Sequence, residues 1–263
     1  MAEQVRIERE GPLGSVILDR PEKHNAFDER LIAELTDAFH SVGADPAVRV
    51  ILLRATGKSF SAGADLTWMQ RSADYSESEN WADAEKLAAM LRAIDTVPKP
   101  VIASVQGPVY GGGVGLVAAC DIAIGSDAAL FSLSEVKLGL IPAVISPYVV
   151  RAIGMRWARR YALTAERFDA ATAARLGLLH EVVPLAELPG RVDAIARQLC
   201  ESAPGAQSEV KALLRMIEGR PLDPALGAET ASWIARVRAG DEAREGIAAF
   251  LERRRANWNP GGR

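Results

Sequence analysis

Two runs of residues with almost no side chain, each set after an apolar stretch, constrain this chain more than any other feature. Phe60-Ser61-Ala62-Gly63-Ala64-Asp65 comes after Val50-Ile51-Leu52-Leu53, and Gly111-Gly112-Gly113-Val114-Gly115 comes after Val101-Ile102-Ala103-Ser104-Val105. Both apolar stretches read as strands. Both small-residue runs leave backbone N–H groups open to close approach. Two such donors aimed at one carbonyl oxygen form an oxyanion hole. The apolar residues from Val114 to Ala119 read as a helix. Its N-terminal dipole then adds to the stabilisation of negative charge.

The surrounding pattern is an alternation of strands and helices. Val5–Arg9 and Ser15–Leu18 flank Gly11-Pro12-Leu13-Gly14 and read as a hairpin. Asp28 caps the next helix, and Phe27 and Ile32 have the spacing of a hydrophobic staple. Leu31, Ile32, Leu35, Ala38, Phe39 and Val42 follow a helical stripe, which Asp45-Pro46 ends before a strand over Val48–Leu53. Residues 66 to 97 are polar at first and then helical, with Leu87, Met90, Leu91 and Ile94 on one face. Short strands are expected at Asp121–Ile124 and Leu130–Ser132. From about Arg151 the chain reads as helical apart from Glu181-Val182-Val183, with a last helix from Asp241 to about Asn257. The expectation is an α/β core over 1–195 with a helical part over 196–263.

Composition narrows the function classes. The 263 residues are 49% hydrophobic and carry a net charge of −3, which argues against a general nucleic-acid binder. No apolar run is long enough to span a bilayer, and Met1-Ala2-Glu3-Gln4 shows no secretory pattern. Cys120 and Cys200 have no partners at metal-ligand spacing, so they read as reduced structural thiols, and the expected location is the cytoplasm.

An ordered set of segments resembles the crotonase (enoyl-CoA hydratase/isomerase) superfamily nearly end to end. These are Leu18-Asp19-Arg20-Pro21-Glu22-Lys23-His24-Asn25-Ala26, Gly57-Lys58-Ser59-Phe60-Ser61-Ala62-Gly63-Ala64-Asp65-Leu66, Gly111-Gly112-Gly113, Ala119-Cys120-Asp121-Ile122, and Ser134-Glu135-Val136-Lys137-Leu138-Gly139-Leu140-Ile141-Pro142. The terminal Ala249-Phe250-Leu251-Glu252-Arg253-Arg254 closes the set. The resemblance implies a spiral of ββα turns, a C-terminal helical region that builds a homotrimer or a dimer of trimers, and an acyl-coenzyme A substrate with no other cofactor and no metal. It also implies that the N–H groups of Ala64 and Gly112 are the oxyanion donors. Coenzyme A contacts fall on Lys23, His24, Ala62 and Lys58, with Arg253 as a C-terminal cation from a neighbouring subunit. Without the resemblance, Lys23, Lys58 and Arg253 read equally as solvated charges, and His24 has no constellation around it.

Two departures from the standard hydratase pattern matter. Such hydratases carry two catalytic glutamates; one falls on Glu135 and the other on Gly115. The stretch Ala143–Val149 replaces a glycine-rich run. With Trp68-Met69-Gln70 and Tyr161–Phe168, it is similar to the bacterial methylglutaconyl-CoA hydratases. A second carboxylate on the substrate would need a cation or hydrogen-bond donors, for which Arg71, Lys137, Arg151, Ser146 and Tyr148 are candidates. Asp65 reads as a loop holder, accepting local backbone bonds. Three activities stay open: hydration of a short branched or carboxylated enoyl-CoA, Δ3,Δ2-enoyl-CoA isomerisation by Glu135 alone, and non-catalytic binding of acyl-CoA or RNA.

Overall fold

A computed structural model describes residues 3–259. The chain enters as an antiparallel hairpin of β1 (Val5–Glu10) and β2 (Leu13–Leu18). Its turn is only Gly11-Pro12, shorter than the sequence implies, because Leu13 and Gly14 already pair with Glu10 and Arg9. Helix α1 (Glu29–Ala44) starts at Asp28, whose carboxylate accepts from the Leu31 N–H at 2.8 Å. Its buried residues are the six of the expected stripe, and Phe27 is buried beside them.

Strand β3 (Val50–Ala55) runs parallel to β2. It is apolar on both faces because both faces are covered. Ile51 and Leu53 face one core, while Val50 and Leu52 face another. Two helices follow: α2 (Leu66–Ser72), and α3 (Glu77–Thr96) behind a reciprocal Ser76–Glu79 cap. The sequence reading gives no separate α2, since the polar stretch carries no apolar stripe. Met90, Leu91 and Ile94 bury the later turns of α3, with Leu87 partly buried against the same core.

Two ββα turns then repeat. The first is β4 (Val101–Val105), β5 (Val109–Tyr110) and α4 (Gly112–Ala119). The second is β6 (Ile122–Ser126), β7 (Leu130–Ser132) and α5 (Ser146–Thr164), kinked at Gly154. The chain continues through β8 (Phe168–Asp169), α6 (Ala170–Leu176), β9 (Glu181–Val183) and α7 (Leu188–Cys200). The first strand of each turn joins a six-stranded sheet ordered β1-β2-β3-β4-β6-β9, parallel except for the hairpin. The second joins a small sheet ordered β5-β7-β8. Helices α1, α3, α4 and α5 pack one face of the large sheet, and Leu188, Val192, Ala196 and Cys200 of α7 pack the other. The division expected at 195/196 falls inside α7.

The chain then runs through α8 (Pro204–Ile217), α9 (Pro224–Arg238) and α10 (Asp241–Leu251). These helices bury almost nothing within the protomer: Leu226 on α9, Ala249 on α10 and no residue of α8. The last helix stops at Leu251, six residues before the expected end. Arg253 takes a left-handed φ of +55, and Arg254 folds back onto Glu245 at 2.7 Å. The arginine cluster therefore lies past the helix end. Among the described residues no helix is long and apolar enough to cross a membrane. None of their His, Cys, Asp and Glu side chains form a group of three or more that would hold a metal ion. Cys120 and Cys200 are unpaired by disulfide.

Candidate active site

The two small-residue segments lie side by side. Tyr110 N–H donates to the Ser61 carbonyl at 2.9 Å, and Phe60 N–H donates to Pro108 O at 3.0 Å. A β-bridge joins Ser61 to Val109. At the crossing, a Cβ on Gly63 would lie 2.9 Å from Tyr110 O and 3.7 Å from Gly111 Cα. Gly63 and Gly111 also have φ of +82 and +50, so the crossing needs glycine twice over.

The first donor is freed by a bridge on its other side. Phe27 brackets Ala64: its N–H donates to Gly63 O at 2.6 Å, and its carbonyl accepts from Asp65 N–H at 2.7 Å. The N–H of Ala64 itself points away from Phe27 and has no partner among the described residues. Gly112 is the first residue of α4, so its N–H is one of the orphan donors of a helix start. It too has no partner among the described residues. A Cβ on Gly112 would press 2.6 Å from the Phe27 ring. Phe27 thus seats both donor segments, the first through its backbone and the second through its ring.

A network that the sequence reading leaves without a role holds this loop. Asn25 is fully buried, and its amide donates to Thr56 O and Ser59 O at 2.9 Å while its carbonyl accepts from Arg20 N–H. Arg20 pairs with Asp28 at 2.8 Å and with Asp65 at 3.1 Å. Asp65 also caps α2 by accepting from the N–H groups of Thr67 and Trp68. Burial pushes the Asp65 carboxyl up, but these N–H bonds and the Arg20 and Lys23 charges outweigh it and leave it below the ordinary value. The loop-holder reading of Asp65 matches this geometry. Arg20 has Asp19, Glu22, Asp28 and Glu29 close to it in sequence, so spacing alone does not show which carboxylates it meets.

Glu135 arrives from the neighbouring turn of the spiral. Gly111 N–H donates to Ser132 O at 3.0 Å, which ties the end of β7 to the start of α4. The short 3-10 turn Glu135–Leu138 follows, closed by Gly139 in a left-handed conformation. The Glu135 Oε1 lies 3.3 Å from where a Cβ on Gly111 would stand. Its Oε2 is buried with no hydrogen-bond partner. Desolvation raises the Glu135 pKa above its ordinary value near 4.5, and its own backbone N–H offsets this only in part. Ala64, Gly112 and Glu135 are therefore brought to one place, with two free N–H donors near a half-buried carboxyl.

The other candidates divide. Lys23, His24, Ala62 and Lys58 share one rim: Ala62 N–H donates to His24 O at 2.9 Å, and His24 Nδ1 meets Ser59 Oγ at 3.1 Å. Among the described residues neither lysine is in an ion pair. No described contact within the protomer joins Arg253 to this rim. Arg71 is engaged by Glu29 at 2.7 Å, and Arg151 by Asp95 at 2.5 Å. The Ser146 hydroxyl donates to Pro142 O. Two concavities, of about 830 and 520 Å³, lie elsewhere, one beside the hairpin turn and α7 and one under α8.

A spiral of ββα turns with two bare N–H donors beside one half-buried carboxyl is the arrangement that comparison with known proteins assigns to a family. The enoyl-CoA hydratase/isomerase family profile matches residues 8–261, and the protein belongs to that family. It is 34% identical over 252 residues to a putative enoyl-CoA hydratase of Thermus thermophilus, covering 95% of this chain and 98% of that one. It is 33% identical over 258 residues to a crotonyl-CoA hydratase of Syntrophomonas wolfei, covering 97% and 98%. A crystal structure of a putative enoyl-CoA hydratase/isomerase (crotonase) from Legionella pneumophila superposes with a TM-score of 0.93 at 47% identity, over 98% of this chain and all of the other.

Proposed function

We propose that this protein is an enoyl-CoA hydratase that adds water across the α,β double bond of a short branched or carboxylated enoyl-CoA. The observation that carries the reading is the meeting of Glu135 with the unpartnered N–H groups of Ala64 and Gly112. The thioester carbonyl oxygen accepts from these two donors. Glu135, ionised, takes a proton from water as the water oxygen bonds to the β-carbon. The π electrons move onto the thioester oxygen as an enolate, where the donors and the α4 dipole hold the charge. Glu135 then returns its proton to the α-carbon, so one carboxyl closes the cycle. Its raised pKa suits both halves of that exchange. The Lys23–Lys58 rim supplies cations for the coenzyme A phosphates, joined by Arg253 of a neighbouring subunit in a trimer. The uncovered apolar faces of α8, α9 and α10 support that assembly.

For the acyl group we favour 3-methylglutaconyl-CoA. Of the three candidate cations, Arg71 and Arg151 are already paired, while Lys137 has no ion pair among the described residues and lies two positions from Glu135. One charge-assisted bond is worth ~1.5–3 kcal/mol, or about ten- to a hundredfold in specificity. Specificity constants for 3-methylglutaconyl-CoA and crotonyl-CoA test this. The former should lead by that factor, and Lys137→Ala should remove the lead. An equal or higher constant for crotonyl-CoA would reject the dicarboxylate reading. A second reading, Δ3,Δ2-enoyl-CoA isomerisation, is favoured by one observation: no second carboxyl stands at Gly115. A single acid/base suffices to move one proton between two carbons.

A further inference from the structure

Gly111 is the N-cap of α4, in a non-helical conformation, and Gly115 lies about one turn into the helix. At Gly111 the space beyond the missing Cβ is held by the Glu135 carboxyl. At Gly115 it is held by Ile145: a Cβ there would overlap Ile145 Cγ2 and stand 2.8 Å from Ile145 Cβ. Leu91 Cδ1 closes the remaining side at 3.6 Å. Side chains on a helix lean toward its N-terminus, and it is at this end of α4 that Glu135 stands against Gly111.

Ile145 is held firmly in that place. It is 2% exposed, it precedes α5, and its carbonyl accepts from Val149 N–H at 3.0 Å. Just beside it, the N–H and hydroxyl of Ser146 both donate to Pro142 O, at 3.0 and 2.7 Å. This fixes the backbone from which Ile145 projects. The Ala143–Val149 stretch thus delivers a branched apolar side chain to the face of α4 on which Gly115 lies.

We infer that Gly115 and Ile145 are a matched pair that closes the seat of a second carboxylate and makes this a one-carboxyl active site, with Ile145 as a positioning residue. The inference rests on the reading of Glu135 as the acid/base. It goes further in stating that a second base is excluded by volume, and that opening position 145 makes room for one. Among the described residues no charged side chain pairs with Glu135 from α4, α5 or the 3-10 turn, so a carboxylate at 115 would be its first titrating neighbour.

Two measurements test the pair. The first is a thermal cycle of Gly115→Ala, Ile145→Ala and the double variant. Gly115→Ala should lower Tm by about 2–10 °C when Ile145 is present, as overpacking does, and should cost nothing when position 145 is Ala. Equal destabilisation in both backgrounds would overturn the pairing. The second uses Gly115→Glu/Ile145→Ala, with and without Glu135→Gln, across pH. In the parent, Glu135→Gln should cost ~10²–10⁴-fold in turnover, and in the opened background the loss should be at least about tenfold smaller. The acid limb of kcat/KM should gain a second ionisation, which a merely structural role for Ile145 would not produce. A folded double variant whose loss and pH profile match the parent would overturn the inference. A parent indifferent to Glu135→Gln would overturn the Glu135 assignment and the second-seat inference together, whereas failure of the thermal cycle alone would overturn only the latter.

Discussion

Replacing Glu135 by Gln should make the protein more stable at neutral pH while disabling it. Oε2 is buried without a partner, and desolvation is the main cause of the raised pKa. Between the unfolded and the folded pKa the native state therefore binds more protons than the unfolded state, so stability falls as pH rises through that window. Above it, the ionised form carries the full penalty, about 1.4 kcal/mol for each unit of the shift. For a chain of this size that is about 3–5 °C in Tm per unit. Gln fills the same volume without a charge and escapes the penalty. Melting curves of both proteins at pH 4 and pH 8 check this. The gain should be present at pH 8 and absent at pH 4, where the parent carboxyl is already protonated. The cost in turnover should be ~10²–10⁴-fold. A variant with unchanged Tm at pH 8, or the same gain at both pH values, would refute the claim that Glu135 is a desolvated, unpaired acid.

Three further outcomes are expected. Ala64→Pro removes one free donor from an exposed residue and should lower turnover ~10²–10³-fold in a protein whose circular dichroism is unchanged. Arg20→Ala strands Asp28 and Asp65 and should cost about 3–5 kcal/mol in urea titration, with activity lost together with the loop that Asp65 holds. Phe250→Asp and Ile234→Asp, on apolar faces that are 82% and 53% exposed in the protomer, should dissociate the assembly in sedimentation, and an unchanged trimer or hexamer would count against those faces as the interface.

What could be read in advance follows from how local each signal is. The stripe of α1 and its Asp28 cap were legible because a helix face repeats every three or four residues and the cap is one residue away. The β3 run was legible as a strand, and its burial on both faces follows from its unbroken apolar character. Helix α2 was not, because its residues form no apolar stripe and its start is set by Asp65, itself fixed by Arg20 from far along the chain. The end of α10 was overestimated because Arg253–Arg255 suits a helix terminus by charge, whereas the Arg254–Glu245 pair turns the chain back. Within the site, Ala64, Gly112 and Glu135 were reachable through small-residue runs and family resemblance. Ile145 was not, since nothing in the spacing of Gly115 and Ile145 shows that one fills the space left by the other.

Whether Glu135 and the two backbone donors hydrate an enoyl-CoA is read from the mass of the product formed from 3-methylglutaconyl-CoA and from crotonyl-CoA, with the Glu135→Gln protein as control. The parent should form a product heavier than the substrate by one water, and the variant should form it at least about a hundredfold more slowly. An isomer of unchanged mass, no product from any short enoyl-CoA, or an equally fast reaction without Glu135 would contradict it.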